Sequence, residues 1–153
     1  MSTIDARLRE LGIALPEAAA PVANYVAFAR TGNTVHVSGQ IAFGPDGLMT
    51  GRVGDEIDLA TAQKAARLCA INLIAQFKAA CEGDLDRVVR VVKLGGFVNA
   101  DPGFTDVPKV INGASDLMVD VFGEAGRHAR SAVGCSVLPL NAAVEVDAVI
   151  EVQ

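Results

Sequence analysis

Arg130 is the side chain here best suited to hold a small acid. It opens the run Arg130-Ser131-Ala132-Val133-Gly134, and a second run, Val144-Glu145-Val146-Asp147-Ala148, alternates apolar with acidic residues. A guanidinium stays charged at physiological pH and grips a carboxylate through two parallel hydrogen bonds. Strand alternation puts Val144, Val146, Ala148 and Ile150 on one face, and Glu145, Asp147, Val149 and Glu151 on the other. The pattern offers an anion grip and a carboxylate able to move a proton. The plainer reading pairs Arg130 with Asp147 or Glu151 and leaves Glu145 solvated, and the residues alone leave both readings open.

Other chemistries are less well supplied. His36 and His128 are the only histidines, and neither stands at metal-ligand spacing to a cysteine or carboxylate. His36 reads as a packed or solvated strand residue, and His128 falls just ahead of the arginine strand, where a pocket rim could lie. Ser38 and Ser131 have no histidine fixed near them in sequence, so no Ser-His-Asp arrangement emerges. Gly44-Pro45-Asp46-Gly47 lacks the Gly-Lys-Ser/Thr continuation of a phosphate loop and reads as a turn. Cys69, Cys81 and Cys135 are odd in number and lack CxxC spacing, which suits reduced, buried thiols. No metal or cofactor is expected.

The elements that must position these residues follow from caps, turns and periodicity. Ser2 or Thr3 caps a short helix over Ile4–Leu11 that Gly12 stops, and a Pro/Ala-rich connector, Leu15–Val22, follows. Tyr25–Arg30 and Thr34–Ser38 read as a hairpin around Gly32-Asn33, and a short strand is expected near Leu48–Thr50. Asp58 caps the longest helix, which reaches about Glu82 with Gly83 as its stop, and Ala66, Ala70, Leu73, Phe77 and Ala80 form its stripe. Leu85–Ala100 carries the β-branched run Val88-Val89-Arg90-Val91-Val92, with Gly95-Gly96 marking a bulge or close backbone approach. A second helix spans about Asp106–Phe122 with Pro108 in its first turn, and the two C-terminal strands read as a terminal hairpin. The sum is an α+β fold of about six strands, both long helices on one sheet face.

Composition sets the partners. The 153 residues suit a single domain, 1–153, with residues 1–20 as its N-terminal helix and connector. Hydrophobic residues make up 51% and charged residues 20%, with a mean hydropathy of +0.36, so part of the apolar surface is expected to lie against another subunit. No stretch approaches the roughly 20 unbroken apolar residues of a membrane span. Asp5, Arg7, Arg9, Glu10 and Glu17 interrupt the start where a signal peptide would be apolar, so a cytoplasmic address is expected. A net charge of −5 argues against nucleic acid, which demands basic surface.

Taken together, Tyr25, Val37-Ser38-Gly39-Gln40-Ile41, Asn112, Ala129-Arg130-Ser131, Leu138-Pro139 and Val144-Glu145-Val146-Asp147-Ala148 resemble the RidA (YjgF) family, also known as L-PSP endoribonuclease. The likeness runs from about Pro21 to Val152. It implies a chorismate-mutase-like fold, a six-stranded, mainly antiparallel sheet with two helices on one face, and a homotrimer with ligand pockets between subunits. It also implies hydrolysis of reactive enamines and imines such as 2-aminoacrylate to 2-keto acids and ammonia. By that likeness Arg130 would bind the substrate carboxylate and Glu145 would position or activate water. Tyr25, Ser38 and Gly39 would line the cleft, with Asn112 more loosely associated. The alternative class is a small-carboxylate binding protein without turnover; endoribonuclease activity fits the acidic surface poorly. Two departures stand out: Ala132 where the family often has cysteine, and the long segment before Pro21.

One geometric expectation needs no family. If the last two strands form a hairpin turning near Leu140, Arg130 and Glu145 sit about five residues apart along the ladder, roughly 17 Å. They then cannot hold one small molecule within one chain, and a shared site must be built from two subunits.

Overall fold

Two of the three α-helices begin at a side-chain cap that the sequence supplies. In the computed structural model, which describes residues 2–153, Ser2 accepts the Asp5 amide at the head of α1 (Thr3–Glu10) and Asp58 accepts the Thr61 amide at the head of α2 (Leu59–Ala80). α3 (Val107–Phe122) carries Pro108 in its first turn, where a missing N–H costs nothing, and stops at Gly123. The strands are β1 (Phe28–Thr31), β2 (Thr34–Ile41), β3 (Phe43–Gly44), β4 (Gly47–Leu48), β5 (Val88–Asn99), β6 (Ala129–Cys135) and β7 (Val144–Val152).

Five strands form the main sheet, in the order β1-β2-β7-β5-β6, and β3 and β4 form a separate two-residue ribbon. The expected sixth strand is thus absent from the sheet. Asn72 of α2 donates its amide to the carbonyls of Ile41 and Phe43, at 3.1 and 2.9 Å, and turns the chain off the sheet edge. The Pro45-Asp46 turn then closes the ribbon after two residues, leaving Thr50 a single bridge to Ala142. The first strand starts at Phe28 rather than Tyr25, where its pairing with Val37 of β2 begins, and β2 bulges against β7 between Val37 and Gln40.

The larger correction concerns the C-terminus. β6 and β7 are not a hairpin: β5 lies between them, parallel to β6 and antiparallel to β7. A parallel neighbour needs a crossover of helical length, and α3 provides it between β5 and β6. β7 returns through a turn at Pro139–Asn141, where Leu140 and Asn141 take positive φ, and inserts between β2 and β5. Its alternation favours a central position, since Val144, Val146 and Ile150 are wholly buried.

Both long helices cover one face, α2 against β2 and β7 and α3 against β5 and β6. Leu73, Phe77, Ile111, Leu117 and Met118 meet Leu94, Val98, Val146 and Ile150 there, all buried. Each such side chain contributes about 1.5–3 kcal/mol on leaving water. Cys69 of α2 is wholly buried, its thiol donating to the Val144 carbonyl at 3.4 Å. Burial, and secondarily the Glu145 charge, push that thiol far above the ordinary cysteine value.

The N-terminal segment is tied down along its length. The Asp86 carboxylate accepts the amides of Thr3 and Ile4 at 2.7 and 3.0 Å, Lys78 pairs with Asp5 at 2.8 Å, and Arg7 Nε donates to the Asp120 carbonyl at 2.8 Å. Residues 11–22 then run beside α2, where the buried Gln76 amide donates to the Ala19 carbonyl at 2.8 Å. Among the described residues no helix is long and apolar enough to cross a membrane.

Gly113 lets α3 cross α2 closely, for a Cβ there would land on the backbone of Gln63. Gly113→Ala is expected to force the helices apart and cost about 1–3 kcal/mol, read as a lower urea midpoint at unchanged slope.

Candidate functional site

Arg130 projects from β6 toward α3. Its rung on β5 is Leu94, whose partner on β7 is Ala148, so it shares the helix-covered face with these buried residues. Nη1 donates to Asn112 Oδ1 at 2.8 Å and to Ser115 Oγ at 3.1 Å, both on α3. Neither the Asp147 nor the Glu151 ion pair forms, because those carboxylates lie on the other face of the sheet. Among the described residues Arg130 has no carboxylate at ion-pair distance. Ser115 Oγ also meets His128 Nε2 at 2.9 Å, and His128 Nδ1 lies 2.6 Å from the Gly126 carbonyl. Burial, countered by that carbonyl and reinforced by the Arg130 charge, holds the His128 imidazole below its ordinary value.

Glu145 occupies the opposite face. It is half-buried on β7, between Ile41 of β2 and Phe97 of β5. Gly39 sits in the β2 bulge, and a Cβ there would land on the Glu145 carboxylate, so the absent side chain makes the carboxylate's seat. Burial raises the Glu145 carboxyl above its ordinary value, and the neighbouring Asp147 charge raises it further. Asp147 lies in the same way over Gly95; burial raises it too, against the opposing pull of the Gly95 amide and Lys93. Ser38 Oγ donates to the Val26 carbonyl at 2.7 Å, which anchors the segment carrying the half-exposed Tyr25.

The six residues singled out in the sequence therefore form two groups. Arg130 and Asn112 meet at the β6 edge, while Tyr25, Ser38, Gly39 and Glu145 gather about β2 and β7. On β5 the rungs of Arg130 and Glu145 are Leu94 and Phe97, roughly 10 Å apart along the strand, with two strand spacings of about 4.8 Å between them. The hairpin that predicted their separation does not exist, and the distance along the strands is three rungs rather than five, but the two side chains lie on opposite faces of the sheet. Sequence reasoning missed Ser115, and weighed Asp147 only as a partner for Arg130. The first stands one helical turn after Asn112, a spacing that places both on one face.

Tyr25, Ser38 and Gly39 open onto a cavity of about 1010 Å³. Its far wall is the N-terminal connector, through Leu11 and Leu15, and its floor is α2, through Leu68 and Ile71. The long N-terminal segment therefore builds a pocket wall.

A family model described as "YjgF/chorismate_mutase-like, putative endoribonuclease" matches residues 5–152. Protein TCP17 of Trypanosoma cruzi is 53% identical over 97% of this chain and 93% of its own length. A 2-iminobutanoate/2-iminopropanoate deaminase of Dermatophagoides farinae is 31% identical over 92% of this chain and 95% of its own. The crystal structure of the protein Atu1372 from Agrobacterium tumefaciens superposes with a TM-score of 0.92 at 52% identity, covering 98% of this chain and 92% of that one.

The raised Glu145 carboxyl has a consequence for stability. A fold that raises an acid's pKa favours its protonated form, so the contribution is full below the unfolded value and lost as pH rises through the folded one. Glu145→Gln is therefore expected to gain on the parent protein as pH climbs from about 4 to 7. Urea midpoints of both proteins across that range check it; a constant difference would contradict the burial argument.

Proposed function

Because this chain belongs to the YjgF/chorismate-mutase-like (RidA) family, we propose that it hydrolyses 2-imino acids to 2-keto acids and ammonia at clefts between subunits of a homotrimer. The observation that carries this reading is the state of Arg130, whose charge is held by two neutral oxygens and left without a carboxylate among the described residues. A guanidinium so disposed is suited to grip a carboxylate.

The two groups of residues supply complementary halves. Arg130 of one subunit grips the substrate carboxylate, and Glu145 of the next faces the imine carbon. Water adds to the C=N carbon to give a carbinolamine, which expels ammonia and leaves the 2-keto acid. An imine carbon is already electrophilic, so a held water and a group that takes one proton and returns it to nitrogen suffice. A carboxyl raised above its ordinary value is better matched to that exchange near neutral pH than a fully solvated one. Val26, Val133 and Leu140 are exposed, and their burial between subunits fits the apolar composition.

Arg130→Ala is expected to lower kcat/KM at least about a hundredfold, through loss of two charge-assisted hydrogen bonds. Glu145→Gln should lower kcat about 10²–10⁴-fold, the usual worth of general acid–base help. Imines generated in place by an amino-acid oxidase, with semicarbazide as the competing trap, provide the measurement. Retained 2-oxobutanoate binding without any parental turnover would instead mark a carboxylate binder. A sharper test coexpresses the two inactive variants. If each cleft borrows one residue from each of two subunits, random mixing restores about a quarter of the sites, whereas a site within one chain restores none.

A further inference from the structure

We propose that Ser115 and His128 are positioning residues, which turn the Arg130 guanidinium so that its Nε/Nη2 edge faces the ligand carboxylate. This rests on the reading of Arg130 as the carboxylate grip. The argument starts at the Gly126 carbonyl, which can only accept a hydrogen bond. It lies 2.6 Å from His128 Nδ1, so Nδ1 carries the ring proton. The neutral imidazole then presents a bare Nε2, 2.9 Å from Ser115 Oγ, and the single hydroxyl hydrogen of Ser115 goes there. With that hydrogen committed, Oγ offers only lone pairs to the guanidinium and accepts from Nη1 at 3.1 Å. Asn112 Oδ1 takes the other Nη1 hydrogen at 2.8 Å.

Both hydrogens of Nη1 are thereby used. Three hydrogens remain, one on Nε and two on Nη2, and the Nε hydrogen and the nearer Nη2 hydrogen lie side by side on one edge, at the spacing that matches the two oxygens of a carboxylate. Chain periodicity brings the four residues together. Asn112 and Ser115 are three apart on α3, and His128 and Arg130 are two apart on the approach to and start of β6. Reversing the imidazole tautomer would set a hydrogen of Nε2 against the Ser115 hydroxyl and free that hydroxyl to turn its own hydrogen toward Arg130. The tautomer of a residue that never touches the ligand thus sets which edge of the guanidinium is offered.

The test uses 2-oxobutanoate as a product-like probe in calorimetry, beside separate kcat and KM values for imine hydrolysis. Ser115→Ala and His128→Phe are each expected to weaken probe binding and raise KM about tenfold, with kcat within about twofold of the parent. The double variant should be no worse than either single one, because the two residues act in series. His128→Gln, whose Oε1 can accept the Ser115 hydrogen, should bind the probe as the parent does. Nitrogen-15 spectra of the unaltered protein should find His128 protonated at Nδ1 and bare at Nε2. Arg130→Ala separates the two levels of the argument. If it binds the probe like the parent, the grip itself is wrong. If it loses binding while Ser115→Ala and His128→Phe keep it, only the positioning role is overturned. A proton at Nε2 overturns that role without any variant.

Discussion

Arg130 and Glu145 are both referred to one strand, β5, and its pleat sends them to opposite faces of the sheet. The rung at Leu94 points Arg130 toward α3; the rung at Phe97, an odd number of residues on, points Glu145 away from the helices. No rotamer change can carry a side chain through a hydrogen-bonded sheet, so a register fixed by core burial fixes the separation of the groups as well. The reward for the register is large, since a slip of one residue on β7 would exchange Val144, Val146, Ala148 and Ile150 for a face that carries Glu145, Asp147 and Glu151 into the core. The core thus holds the two groups apart.

Each half is electrically incomplete in its own way. Arg130 is half-buried and satisfied only by neutral oxygens, which solvate a cation without cancelling its charge. Glu145 and Asp147 sit half-buried side by side over glycine backbone, and both carboxyls are raised above their ordinary values by loss of water. One face therefore favours an arriving anion, and the other favours a proton. Joining the two across a subunit boundary would put attraction for the substrate's charge and control of its proton on separate polypeptides.

Much of this was legible from residue order. The caps at Ser2 and Asp58, the proline-headed α3 and the two faces of β7 all follow from local rules that tertiary packing did not overturn. The stop at Gly83 differs: α2 ends at Ala80, and Glu82, ahead of Gly83, takes the left-handed turn. Strand partnership was not legible, because alternation says which way a side chain points and nothing about which neighbour lies alongside. The clue was present, for a helix between β5 and β6 is what a parallel pair requires, and the closeness of β6 and β7 in sequence masked it. The resemblance gathered Arg130, Asn112, Tyr25, Ser38, Gly39 and Glu145, but their division between the faces depended on that missed pairing. His128 could not be understood from its neighbours in sequence. Its tautomer depends on a carbonyl presented by the single helical turn at Gly123–Gly126, and its partner Ser115 arrives from another element.

Cys69 lies beneath the strand that carries Glu145, with its sulfur on the Val144 carbonyl and its thiol strongly disfavoured from ionising. Alkylating agents and peroxides attack the thiolate, so this sulfur is chemically silent for as long as α2 stays seated. Its modification would report only those moments when the helix lifts from the sheet. The fold has thereby placed a native reporter of local opening directly under its own carboxylate wall.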